Sequence, residues 1–275
     1  MKRFKKTVFS LILASSLLPN SFAFATDTNV LDNYLVENGY PEEVIALLDI
    51  QQKEKAYEQK TVFVSHKRVT ALMNESDNNA SARSLSNFSH DLVVGQVTSG
   101  TAGKVEFILD YNWDWNYDPM YTMADSFGIA WTDDFDAYPG TAVSAYKTFG
   151  TTGPTCGTAL ENGGTNVYGY EKYDPGKGIG WEANLISSWF VSAGCGYATT
   201  YRHKGWGEVK IGKFHNGSGL GESTSAVAKY FHNEISGQGE LQFSAAGPAI
   251  TLIGDSSYDV SPDTGETWNW YHRNY

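Results

Sequence analysis

The densest run of side chains able to do chemistry lies between residues 105 and 118. Its odd positions are Val105, Phe107, Leu109, Tyr111, Trp113, Trp115 and Tyr117, and its even positions from Asp110 onward are Asp110, Asn112, Asp114, Asn116 and Asp118. In a strand this alternation places an aromatic ridge on one face and an acidic ladder on the other. The plain expectation is a ridge in the core and a ladder in water. The ladder also opens as an EF-hand loop does, with Asp110-x-Asn112-x-Asp114. The copy then stops, because Trp115 stands where the turn glycine belongs and Tyr121 where the bidentate glutamate belongs. A looser calcium site remains as an expectation, with Asp114, Asp118, Asp125, Asp133, Asp134 and Asp136 in or near the loops that follow. Solvated acidic loops are the competing reading.

Other catalytic arrangements are fragmentary. A glycosidase needs two carboxyls at a set separation, one of them with its proton held by an apolar wall; Glu182 beside Trp181 offers one such environment. Ser218 lies in Asn216-Gly217-Ser218-Gly219, which lacks the glycine two places before the serine that a nucleophile elbow requires. Gly176-x-Gly178-x-Gly180 has neither the Lys-Ser or Lys-Thr pair nor the following helix of a phosphate loop. The histidines show no HExxH and no paired metal spacing. Cys156 and Cys195 are the two cysteines, and one intramolecular disulfide is the economical reading; neither sits in the local signature of a thiol enzyme.

Aromatic residues give the better clue to binding. Tyr is the most frequent of them at 17, and rings with a polar edge suit sugar and peptide surfaces, where stacking and a hydrogen bond are made together. Trp113, Trp115, Tyr117, Trp131, Trp206, Trp268 and Trp270 are the candidate binding rings, with core packing as the rival claim on most of them.

The elements that must position these residues divide the chain near residue 90. Of the 28 glycines only Gly39 precedes Gly95, and all eight tryptophans lie at or after Trp113. Residues 1–25 have the layout of a secretory signal peptide: Lys2, Arg3, Lys5 and Lys6, then an apolar run over 8–18, then Ala23-Phe24-Ala25. Residues 26–60 carry helical spacing, with Gly39 and Pro41 at a break and Asp49 as a cap for a third short helix whose Lys53, Glu54, Lys55 and Glu58 are expected in water. Residues 61–89 read as a strand followed by a polar connection rich in Ser, Asn and Asp. From 90 to 275, many short β signals separated by Gly, Pro and Asn predict a mainly β fold, a jelly-roll-like β-sandwich with a small N-terminal helical segment. Residues 226–235 fit a helix face and a strand equally.

The stretch from Leu35 to Tyr57, with Asn38-Gly39-Tyr40-Pro41, Val44-Ile45, Leu47-Leu48, Lys53 and Tyr57, resembles an N-terminal segment of functionally uncharacterised secreted proteins of Gram-positive bacilli. That resemblance implies a Gram-positive extracellular setting and no particular activity.

Together these features predict a secreted protein without a membrane span. The net charge of −11, more negative once the basic leader is removed, argues against nucleic acid and anionic lipid as partners. The first expectation is a non-catalytic protein that binds an extracellular polysaccharide or the cell wall. The alternatives are an extracellular hydrolase with paired carboxylates, and a secreted toxin or pore former suggested by Ser- and Thr-bearing alternation around residues 95–107.

Overall fold

The computed structural model describes residues 27–70, 85, 87–98, 100–119, 121–132, 134–153, 156–157, 160–163, 167–234, 239–244, 246–254 and 258–272. The expected signal peptide, most of the polar connection and Asp133 lie outside them. Three helices come first: α1 (Thr28–Glu37), α2 (Glu42–Leu47) and α3 (Ile50–Glu58). Asp49 opens α3 with a capping box, its side chain accepting from the Gln51 backbone N–H while the Asp49 N–H donates to Gln52 Oε1, which satisfies donors that a helix start otherwise leaves orphaned.

Seventeen strands follow among the described residues: β1 (Thr61–Thr70), β2 (Phe88–Val97), β3 (Lys104–Trp115), β4 (Ala124–Trp131), β5 (Asp136–Ala137), β6 (Val143–Thr151), β7 (Leu160–Gly163), β8 (Val167–Tyr168), β9 (Lys172–Asp174), β10 (Gly178–Asn184), β11 (Ser188–Ser192), β12 (Gly196–Phe214), β13 (Gly221–Asn233), β14 (Gly239–Phe243), β15 (Ile250–Gly254), β16 (Tyr258–Val260) and β17 (Thr264–Tyr271). They form a nine-stranded sheet with the path β1-β2-β3-β12-β6-β7, a six-stranded sheet with the path β16-β13-β4-β10-β9, and the small hairpin β14-β15. All the pairings are antiparallel. The ambiguous segment after residue 226 is a strand, because β13 is paired on both edges, by β4 and by β17.

The fold is mainly β and sandwich-like, as the alternating sequence predicts. The two large sheets meet on a core that takes Phe88, Phe107, Tyr111, Trp113 and Trp115 from one side and Phe127, Trp131, Trp181, Tyr230 and Trp268 from the other. Rings of this size dominate core energetics by buried area alone. Gly205 and Gly207 make room for them, since a Cβ at Gly205 would meet the Trp113 ring at 2.4 Å and one at Gly207 the Trp181 ring at 2.6 Å.

The acidic ladder is not in water. Asp110 and Asn112 are buried, because the helices lie across the outer face of the nine-stranded sheet. Leu35, Tyr40, Val44, Ile45 and Leu48 pack there against Val93, and the Tyr40 hydroxyl bonds Thr61 Oγ1 at 2.8 Å over Gly95. The expected wet face of α3 is partly sheltered for the same reason: Lys53 is buried against Asp32 and Lys55 reaches Glu208.

Candidate functional site: a groove between the helical cap and the sheet

Along β12 the sequence Lys204-Gly205-Trp206-Gly207-Glu208-Val209-Lys210 alternates small or apolar residues, turned to the core, with long polar or aromatic ones turned to the cap. The register sets Lys204 beside Asp114, Trp206 beside Asn112 and Glu208 beside Asp110 of β3. Polar links tie the cap to this face. Gln52 Nε2 donates to Asp110 Oδ1 at 3.0 Å, and Lys55 pairs with Glu208 while donating to the Thr141 carbonyl at 2.8 Å.

Trp206 stands between two cavities. One, of about 90 Å³, is bounded by α2, Tyr146, Lys147, Arg202, Lys204 and one side of Trp206. The other, of about 470 Å³, has Glu208 and Trp206 at its base, with Gln51, Glu54, Lys55, Glu58 and Gln59 of α3 and its C-terminal cap around it. Both cavities carry charges of both signs: Lys147, Arg202 and Lys204 with Asp49 and Asp114 at the smaller, and Glu54, Glu58 and Glu208 with Lys55 at the larger. Lys147 bridges Asp49 at 3.3 Å and Glu161 at 3.1 Å, and Arg202 is bound at two points by Asp114, its Nε at 2.9 Å from Oδ1.

Asp110 and Glu208 are both buried and are partnered in register across β3 and β12. Burial pushes both carboxyls above the ordinary range; for Asp110 the charge of Glu208 adds to it, and for Glu208 the Lys55 ammonium opposes it. Such a pair shares a proton. It does not fit a glycosidase, whose two carboxyls stand roughly 5–9.5 Å apart around a sugar. Glu182 has lost its expected apolar wall, because strand alternation turns Trp181 into the core and Glu182 outward.

A serine triad is sketched elsewhere. Ser218 Oγ lies 3.4 Å from His272 Nδ1, and His272 Nε2 lies 2.7 Å from Glu222 Oε1. Its surroundings serve a turn instead. His272 Nδ1 is 2.9 Å from Asn216 Oδ1, and the backbone N–H groups of Gly217, Ser218, Gly219 and Leu220 all donate within the turn or to the His272 carbonyl. No donor among them is left for an oxyanion.

Of the candidate binding rings, Trp113 and Trp206 border the smaller cavity and Trp206 also the larger; Trp206 is 5% exposed and packs with Val143 and Ala145. Trp113, Trp115, Trp131, Trp268 and Trp270 lie in the core between the sheets and Tyr117 packs against it, which leaves Trp206 as the candidate ring outside that core. The acidic residues proposed for calcium are dispersed. Asp114 holds Arg202, Asp118 faces His203 Nε2 at 3.2 Å, and Asp134 holds Lys213 at 2.6 Å. Asp125 is buried against Tyr230 and His232, and Asp136 sits exposed in β5. Among the described residues no three or more His, Cys, Asp or Glu side chains gather as a metal site needs. Cys156 and Cys195 form the expected disulfide, with Cα atoms 5.6 Å apart.

Sequence reasoning missed Gln52, Lys55, Lys147, Arg202 and the pairing of Asp110 with Glu208. The signal within reach was the Lys-Gly-Trp-Gly-Glu alternation. It marks a strand with one crowded face and one chemical face.

No family model matches this chain. No curated protein matches it either. Among solved structures, one described as a pore forming protein is similar at 6% identity and a TM-score of 0.34, over 78% of this chain and 92% of its own. Another, described as catalysing macrocyclization in alchivemycin A biosynthesis, is similar at 11% identity and a TM-score of 0.18, over 60% of this chain and 87% of its own. At these scores neither likeness carries an argument. Among the described residues no helix is long and apolar enough to cross a membrane.

Proposed function

We propose that this is a secreted, non-catalytic protein that binds an extracellular carbohydrate or cell-wall polymer in the groove around Trp206. The observation that carries the reading is the position of Trp206 between two cavities of about 90 and 470 Å³. Trp206 is 5% exposed and forms an aromatic floor shared by both cavities, and such a floor with amides, carboxylates and ammonium groups beside it is the kind of lining that orients a polyhydroxylated ligand. The test is a pull-down on cell walls and insoluble polysaccharides followed by titration of the retained polymer. Trp206→Ala is expected to weaken binding about tenfold to a hundredfold while leaving the far-UV circular dichroism of the fold in place. Retention unchanged by that substitution, or no retention on any polymer, sinks the reading.

A secreted pore former is the second reading, and one observation favours it. Strands β12 and β13 run 19 and 13 residues, longer than the roughly 9–11 that a tilted transmembrane strand requires, and β13 begins Gly221-Glu222-Ser223-Thr224-Ser225-Ala226 with alternating burial. Release of a trapped dye from liposomes decides for it, and intact liposomes decide against it.

A further inference from the structure

Two stretches of the sequence carry no charge. In a chain in which 19% of residues are Asp, Glu, Lys or Arg, residues 148–160 and 185–201 contain none of these, and no His, Asn or Gln. The fold brings the two stretches together. Thr151 of β6 is partnered with Thr199 of β12, the Cys156–Cys195 disulfide joins them, and the Trp189 ring lies so close over Gly150 that an added Cβ would meet it at 2.5 Å. The β11–β12 hairpin therefore stands as a braced tip.

Its outer face is aromatic and exposed. Phe190 is partnered with Tyr197, their rings edge-on at 5.5 Å, and the two side chains are 57% and 67% exposed. Tyr201 lies four residues along the same strand, also exposed, and Ser188 and Thr199 complete the face as neighbours in register. Exposed apolar rings clustered in one place mark an interaction surface.

We infer that this tip docks on an uncharged lipid–water interface, that of a zwitterionic bilayer. Rings with small hydroxylic neighbours are the side chains that settle at the headgroup level of a membrane. No ion has to be desolvated as the tip enters, which removes the largest cost of immersion. The strongly acidic remainder of the chain is repelled by anionic headgroups, which selects a neutral surface. A sugar polymer fits this face less well, since Phe190 has no polar edge and neither stretch supplies a carboxylate, amide or guanidinium to grip hydroxyls.

The test is vesicle flotation of the oxidised protein with phosphatidylcholine. The wild type is expected to float equally at low and high salt, and less when phosphatidylserine is mixed in. The exposed double variant Phe190→Ser, Tyr197→Ser is expected to lose about tenfold in partitioning. Trp206→Ala is expected to float like the wild type, which separates this surface from the polymer groove. A wild type that stays in the aqueous phase, a double variant that floats as well, or rings that prove to hold insoluble polysaccharide instead would each overturn the inference.

Discussion

Asp110 and Glu208 are partnered across β3 and β12 and both are buried beneath the cap. Both groups are held above their ordinary range by burial. In the unfolded chain they release their protons near pH 4. Between that pH and their raised folded values the native state binds more protons than the unfolded one, so this pair's contribution to stability falls as pH rises through that window. Asp110→Asn keeps an oxygen for Gln52 and offers Glu208 an N–H in place of the shared proton. Its urea stability, measured at about pH 4.5 and pH 7, is expected to fall with pH less steeply than that of the wild type. An identical slope would place the titration elsewhere, Asp259 with its value raised to about 7 being the next group to replace. A second buried acid is simpler. Asp125 accepts from the Tyr230 hydroxyl at 2.6 Å, His232 Nδ1 at 2.9 Å and the Asn233 backbone N–H at 2.9 Å. Removing it as Asp125→Ala orphans three buried donors, with an expected loss of about 3–5 kcal/mol in urea unfolding.

Single elements show where local sequence misleads. The stretch Gly178-Ile179-Gly180-Trp181 has the look of a turn, yet it is the start of β10, paired with β4 and β9. Its glycines are there for close packing. A Cβ at Gly178 would meet Phe243 at 2.2 Å, and one at Gly180 would meet Leu241 at the same distance, so the β14–β15 hairpin rests on strand backbone. The continuous β12 is a second case, since turn-like Gly196, Gly205, Gly207 and Gly212 all lie within one strand of 19 residues. At the β11–β12 tip the disulfide closes a loop with a sequence separation of 39, for which chain entropy gives about 4 kcal/mol. Replacing both cysteines by serine is expected to lower stability by up to about that amount. Thermal melts of the variant and of the wild type in reductant should then coincide; a variant as stable as the oxidised protein would count the bridge as decorative.

At the scale of the whole molecule the two binding surfaces are built differently: a groove of mixed charge beneath the helical cap, and a charge-free aromatic tip at the end of β11–β12. The sequence by itself determined the mainly β fold class, because alternation over 105–117 and the many Gly- and Asn-marked turns point to an antiparallel sandwich or a barrel. It also determined the three short helices, through Gly39, Pro41 and the Asp49 cap, and the disulfide, through the presence of only two cysteines. These are local or compositional properties, read from spacing alone. Tertiary structure decided which aromatic rings belong to the core between the sheets. Trp113, Trp115, Trp131, Trp268 and Trp270 look the same in sequence as Trp206, and only the meeting of the two sheets gathers the first five into one core while Trp206 packs apart from it with Val143 and Ala145. It also decided that the acidic ladder belongs under a helical cap, since Gln52 reaches Asp110 across 58 positions of chain. Contacts of that range depend on how the sheets stack and where the cap lands, and no periodicity in a single strand encodes either.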